Sequence, residues 1–97
     1  MEEISISELI LLKDRSKIID IREKNEYKDH HLEGSINIPM NEILKNHYYY
    51  LNKEEKYYII CLSGIRSIKL CDELSKLGYK VINVKEGIKG LDEKIEN

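Results

Sequence analysis

Apolar positions along this chain change their period several times, and each change predicts an element. Ile4 and Ile6 flank Ser5 in a short alternation, the pattern of an edge strand. Ser7 is a candidate cap for the helix that follows, with Glu8 in its first turn and Leu9 to Leu12 as its buried face. Ile18-Ile19-Asp20-Ile21 is too apolar for a half-exposed strand and predicts an interior parallel strand. Asp20 and Arg22 then fall at its C-terminal end, the edge where open parallel sheets bind ligands. Glu23 to His31 is polar and predicts a short helix or turn, punctuated by Gly34. Ser35 to Ile38 predicts another short strand, and Pro39 suits the first position of a helix presenting Met40, Ile43, Leu44 and His47 on one face. The run Tyr48-Tyr49-Tyr50 is expected only to cover the core.

The second half repeats the alternation. Tyr57 to Ile60 reads as a buried strand, and Leu70, Leu74 and Leu77 recur at i, i+4, i+7 with Cys71 beside them. That spacing predicts a helix from Ser67 to Leu77, stopped by Gly78. Val81 to Val84 forms the last strand, and Gly87 and Gly90 surround a short final helix that includes Leu91 and Ile95. Strands alternating with helices at this spacing predict an α/β, three-layer domain: a central parallel sheet of four to five strands with helices on both faces.

Composition adds limits. Ninety-seven residues, 41% hydrophobic and 35% charged, suit one domain over residues 1–97, with a radius of gyration of roughly 13 Å. A net charge of −2 points away from nucleic acid and anionic membranes as partners. No apolar run approaches the ~20 residues of a membrane span, and Met-Glu-Glu does not begin a signal peptide. Cys61 and Cys71 alone make no disulfide framework, so a reducing, cytoplasmic setting is expected. His30, His31 and His47 lack metal-ligand spacing, so no metal site is expected.

Candidate chemistry concentrates in Cys61-Leu62-Ser63-Gly64-Ile65-Arg66-Ser67. The cysteine stands where a strand ends and a helix begins. Unpaired amides converge in such a turn, backed by the positive end of the helix, and stabilise an anion. The anion already attached is the Cys61 thiolate, the reactive form of cysteine. A cysteine that merely packs would need neither the conformational freedom of Gly64 nor a charged neighbour such as Arg66. Cys71, beside the Leu70–Leu74 face, is expected in the core rather than as a resolving thiol.

This loop resembles the active-site loop of the rhodanese-like (sulfurtransferase) domain family. A second stretch agrees: Asp20-Ile21-Arg22, Glu26-Tyr27, then His31-Leu32-Glu33-Gly34-Ser35-Ile36-Asn37-Ile38-Pro39, with Glu86-Gly87 near the end. The resemblance implies the rhodanese fold and a sulfurtransferase in which Cys61 carries a sulfane sulfur as a persulfide, the sulfur travelling bound to the protein so that no separate cofactor is needed. Donors would be thiosulfate or persulfides; acceptors would be cyanide or thiols, sulfur-carrier proteins among the candidates. The amides of Leu62, Ser63, Gly64, Ile65, Arg66 and Ser67 would cradle the terminal sulfur. Arg66 would orient the loop and Ser67 sit in the first helical turn, while Asp20 and Arg22 brace the loop, with its amides or Arg66 as donors to the Asp20 carboxylate. Related folds that handle phosphate or arsenate space cysteine and arginine by five residues, whereas four separate Cys61 from Arg66. A phosphatase or arsenate reductase is thereby disfavoured, and a non-catalytic binding module is disfavoured by the presence of Cys61. None of the variable loop positions Leu62, Ser63 and Ile65 is basic, so the dianion thiosulfate is expected to bind weakly. His30 and Glu33 replace the family's usual glycine and proline. Of its terminal Gly-Gly pair and following tryptophan only Gly87 and Leu91 remain, so the last helix is expected to dock less firmly.

Overall fold

The computed structural model describes residues 2–96, with side chains described as far as Leu91. Five parallel strands, β1 (Glu2–Ile4), β2 (Ile18–Asp20), β3 (Ile36–Asn37), β4 (Lys56–Ile60) and β5 (Lys80–Val84), form one sheet in the order β1-β5-β4-β2-β3. Among the described residues six helices connect and flank them: α1 (Ile6–Leu9), α2 (Lys24–Asp29), α3 (Met40–Lys45), α4 (His47–Tyr50), α5 (Ile65–Lys76) and α6 (Gly87–Glu96). The radius of gyration is 12.4 Å.

Period-two alternation along the strands sorts the apolar residues into two cores, one on each face of the sheet. Ile19, Ile21, Tyr57, Ile59, Cys61 and Val81 face α5, which contributes Leu70, Cys71 and Leu74, and α3, which contributes Ile43. Ile18, Ile60 and Val84 face the opposite way, towards Ile6 and Leu9 of α1 and Ile88 of α6. The interior strands are apolar at successive positions because both faces are covered, as the sequence pattern required.

Several boundaries differ from the sequence reading. The edge strand ends at Ile4, since Ile6 already opens α1. Ser5 caps that helix instead of Ser7, its hydroxyl accepting the Glu8 N–H at 3.1 Å. Pro39 precedes α3 as its cap, so the helix starts one residue later than expected. Helix α3 ends at Lys45, so His47 falls in α4 instead, and Leu44 within α3 is exposed. Tyr48 and Tyr49 are 73% and 79% exposed and do not cover the core, their rings meeting His47 and Tyr50 edge-on; of the run only Tyr50 packs on the core. Leu77, one position past α5, is 46% exposed because the chain turns there towards Gly78. The final helix starts at Gly87 and contains Gly90, and its first turn is firmly docked, with Ile88 fully buried. The Ile95 side chain lies outside the described residues. No described helix is long and apolar enough to cross a membrane.

The difference between Leu74 and Leu77 is directly measurable. Leu74→Ala empties a fully buried site and is expected to cost about 2–5 kcal/mol in urea unfolding. Leu77→Ala, at the half-exposed position, should cost less than about 1 kcal/mol.

Candidate active site

Cys61 follows the last residue of β4, and α5 begins four residues later. Gly64 is the helix cap, at φ +88°, a left-handed conformation that glycine adopts without steric cost. Helix α5 therefore starts two residues before the Ser67 boundary expected from sequence. A glycine cap offers no side chain to the orphan amides of the first turn. The Cys61 sulfur takes that place: the Gly64 and Ser67 amides donate to Sγ at 3.2 and 3.4 Å. Of the six amides expected to surround the sulfur, these two point at it in this state. Leu62, Ser63 and Ile65 form the exposed rim, while the Cys61 side chain is fully buried.

The loop keeps its shape because the start of α6 grips it from behind. Ile88 and Lys89 donate their amides to the carbonyls of Cys61 and Leu62, both at 2.9 Å. The approach is close enough to demand glycine on each side. A Cβ on Gly64 would stand 2.1 Å from the Lys85 carbonyl oxygen, and one on Gly87 (φ +66°) 2.5 Å from the oxygens of Cys61 and Leu62. The same contact places the backbones of the exposed residues Lys85 and Lys89 against the loop. The loop itself carries no basic residue beyond Arg66, as its sequence states.

Ser67 does more than occupy the first turn. It is fully buried, and its hydroxyl lies 3.3 Å from Cys61 Sγ and 2.5 Å from Asn83 Oδ1. Asn83 in turn donates from Nδ2 to Glu3 Oε2 at 3.3 Å. Sequence reasoning missed Asn83 and Glu3. The one available signal was an amide side chain inside the otherwise apolar strand Val81-Ile82-Asn83-Val84, since a buried amide needs partners.

Asp20 and Arg22 stand elsewhere. The Asp20 carboxylate is occupied by Arg22, which donates from Nη2 at 2.9 Å and from its backbone amide at 3.0 Å, rather than by loop amides or Arg66. Arg22 also donates to the His30 carbonyl at 2.8 Å, so this buried pair fastens the turn between β2 and α2. Asn37 and Tyr27 complete that fastening: Asn37 Nδ2 donates to the Asp20 and Arg22 carbonyls, and the Tyr27 hydroxyl to the Ser35 carbonyl. Arg66 does not fold back onto the loop; its guanidinium reaches Glu26 on α2 at 3.4 Å and is 41% exposed. Partial burial raises the Glu26 carboxyl, but the Glu23 amide and Arg66 outweigh it and hold the group below its ordinary value. A cleft of about 690 Å³ opens between α2 and α3, lined by Asn25, Asn37, Asn41 and Tyr50 among others, and no residue of the Cys61 loop borders it.

Comparison with known proteins shows the family and the fold. The family model described as Rhodanese-like domain matches residues 5–94. The chain is 32% identical over 91 residues to the putative sulfurtransferase YtwF of Bacillus subtilis, covering 91% of this chain and 87% of that protein. It is 40% identical over 80 residues to the putative sulfur carrier protein YrkF of the same organism, covering 81% of this chain and 43% of that protein. The chain spans less than half the length of some curated relatives that it matches. Among solved structures, the protein SSP1007 from Staphylococcus saprophyticus superposes with a TM-score of 0.83 at 37% identity, over 92% of this chain and 91% of that one.

Cys71 supplies a pH prediction. Burial pushes its thiol up to about 12 from the usual 9.0, and the negative potential of Cys61 and Glu3 adds to the effect. Below pH 9.0 the folded and unfolded chains both keep this proton, so its contribution to stability is complete. As pH rises from 9.0 towards about 12, the unfolded chain ionises first and stability falls. Urea midpoints measured from pH 8 upward should decline, and the decline should be shallower in Cys71→Ala. The native Cys71 thiol should also resist iodoacetamide at pH 8.

Proposed function

Because the chain belongs to the rhodanese-like domain family, we propose that it is a sulfurtransferase whose nucleophile is Cys61. The observation that carries this reading is the Cys61 sulfur receiving two amides of a loop that α6 grips from behind. The Cys61 thiolate attacks the outer sulfur of a donor. A bond forms between Sγ and that sulfur, and the donor's own sulfur–sulfur bond breaks, its electron pair leaving with the donor fragment. For thiosulfate the fragment is sulfite; for a persulfide it is a thiolate. The negative charge then rests on the terminal sulfur of Cys61, within reach of the first-turn amides of α5, which act as an oxyanion hole does. A thiolate or cyanide acceptor next attacks the terminal sulfur, and Cys61 departs as the thiolate. Each half is redox-neutral, and splitting the transfer in two gives ping-pong kinetics.

The tight loop supports sulfur over phosphoryl chemistry, since a single terminal sulfur needs less room than a tetrahedral oxyanion. Leu62, Ser63 and Ile65 form the entry. Asp20 and Arg22 act as supports at one remove, by setting the β2–α2 turn and with it the position of Glu26 against Arg66. Relatives that include a putative sulfur carrier protein support a protein-borne acceptor or donor as well as small molecules.

Intact mass after exposure to a persulfide donor should show one added sulfur atom on the wild type and on Cys71→Ser, and none on Cys61→Ser. Loading of folded Cys61→Ser would overturn the assignment. Kinetics with thiosulfate should give a KM that rises with salt, as attraction of the dianion is screened. Lys85→Ala/Lys89→Ala should raise that KM while leaving kcat/KM for a persulfide donor largely unchanged; equal effects on both donors would remove the lysines from thiosulfate capture.

A further inference from the structure

The row Cys61–Ser67–Asn83–Glu3 has a hydrogen-atom count that restricts the sulfur. Ser67 carries one hydroxyl hydrogen, and in this structure it is donated to Asn83 Oδ1. Asn83 is held with Oδ1 towards Ser67 because its other end, Nδ2, donates to the Glu3 carboxylate. An ionised carboxylate only accepts, so Glu3 permits one orientation of the Asn83 amide. Strand register fixes the pair, since Glu3 and Asn83 are direct neighbours across β1 and β5. With its hydrogen committed to Asn83, Ser67 can only accept from Cys61, and a thiol donates to it at 3.3 Å.

An anionic sulfur reverses the requirement. Ser67 would have to turn its hydrogen onto Sγ, leaving two oxygens, Ser67 Oγ and Asn83 Oδ1, facing each other without a proton. Three of these groups are almost wholly buried, so no solvent relieves the conflict. We propose that Glu3, acting through Asn83 and Ser67, is a positioning residue that holds the Ser67 hydrogen away from sulfur and thereby withholds one hydrogen bond from an anionic Cys61. Ionisation then releases the thiol proton to solvent and rotates the Ser67 hydroxyl; no proton travels along the row. The proposal rests on Cys61 being the reactive group, but its test needs no sulfur donor, so it can fail without the sulfurtransferase reading failing.

Other ionisable groups border the loop. Cys71 lies on α5, Arg66 at its start with Glu26 opposite on α2, and Lys85, Glu86 and Lys89 along the turn into α6. Asp20 and Arg22 close on each other at the end of β2. None of these is altered in the variants compared below, so their fields cancel from the comparison.

The experiment is the rate of iodoacetamide alkylation of Cys61 against pH, read on the tryptic peptide Tyr57–Arg66, which excludes Cys71. Glu3→Gln replaces an exposed carboxylate on the edge strand with a group that also donates, freeing the Asn83 amide to turn. Alkylation at pH 7 should accelerate by about threefold or more, with the profile displaced towards acid by about half a pH unit. The same substitution in a Ser67→Ala background should give no acceleration, because the hydroxyl that transmits it is gone. No acceleration in the Ser67 protein would overturn the proposal. So would equal acceleration in both backgrounds, which would assign the effect to the Glu3 charge acting through space. Should Ser67→Ala fail to fold, Asn83→Leu with Glu3 retained replaces it: a folded variant should alkylate faster than wild type, and an unchanged rate would overturn the proposal.

Discussion

Everything at this site depends on two backbone hydrogen bonds, from Ile88 and Lys89 to the carbonyls of Cys61 and Leu62. Fixing these two carbonyls on α6 holds the chain just after Cys61 in place, so that it curls back and the amides of Gly64 and Ser67 meet the sulfur. Without that grip the segment between β4 and α5 would be a turn among others, free to relax its amides into water. The two glycines at the contact follow from it: Gly64 and Gly87 let two stretches of backbone meet at a separation that any Cβ would prevent.

The same constraint couples folding to chemistry. Helix α5 begins on a glycine cap and satisfies its first turn partly through Cys61 Sγ, so the proposed nucleophile also serves as a capping acceptor. Polar groups buried around it have partners: among the described residues, no fully buried side-chain nitrogen or oxygen lacks a hydrogen bond. Leaving one such group unpaired costs about 1–3 kcal/mol, a large fraction of the stability of a domain this size. Ser67 and Asn83 are therefore under structural as well as chemical constraint, and the hydrogen on the serine is shared between the two demands.

The second motif works at a distance. Asp20, Arg22, Tyr27 and Asn37 tie β2, α2 and β3 into one rigid corner, and Glu26 projects from it to meet Arg66. Two stretches that look like separate signatures in the sequence thus meet through one partly exposed ion pair. Such a pair contributes little to stability, on the order of 0–1 kcal/mol, but it restrains the start of α5 relative to the corner.

The alternation of strands and helices, the two-sided burial of Ile18–Ile21 and Tyr57–Ile60, and the placement of Cys61 at a strand-to-helix turn were legible in the sequence. Each is written in the period of apolar residues over a few positions, and backbone geometry converts such periods directly into elements. Helix ends were less legible: Ser5 rather than Ser7 caps α1, and α5 starts at Ile65, because caps are chosen by single hydrogen bonds that no periodicity records. The exposure of Tyr48, Tyr49 and Leu77 escaped for a related reason, since apolar residues beside a helix end look the same whether the chain turns in or out. Strand order was decided only in three dimensions. It sets β1 beside β5, and so brings Glu3 to Asn83 across 80 positions of sequence. It also carries the start of α6 back to the Cys61 loop and gives the Asp20 carboxylate to Arg22 instead of to that loop. Local pattern determines which residues are buried; which buried residue meets which is a property of the packed sheet, where contacts are made between segments that the chain itself keeps far apart.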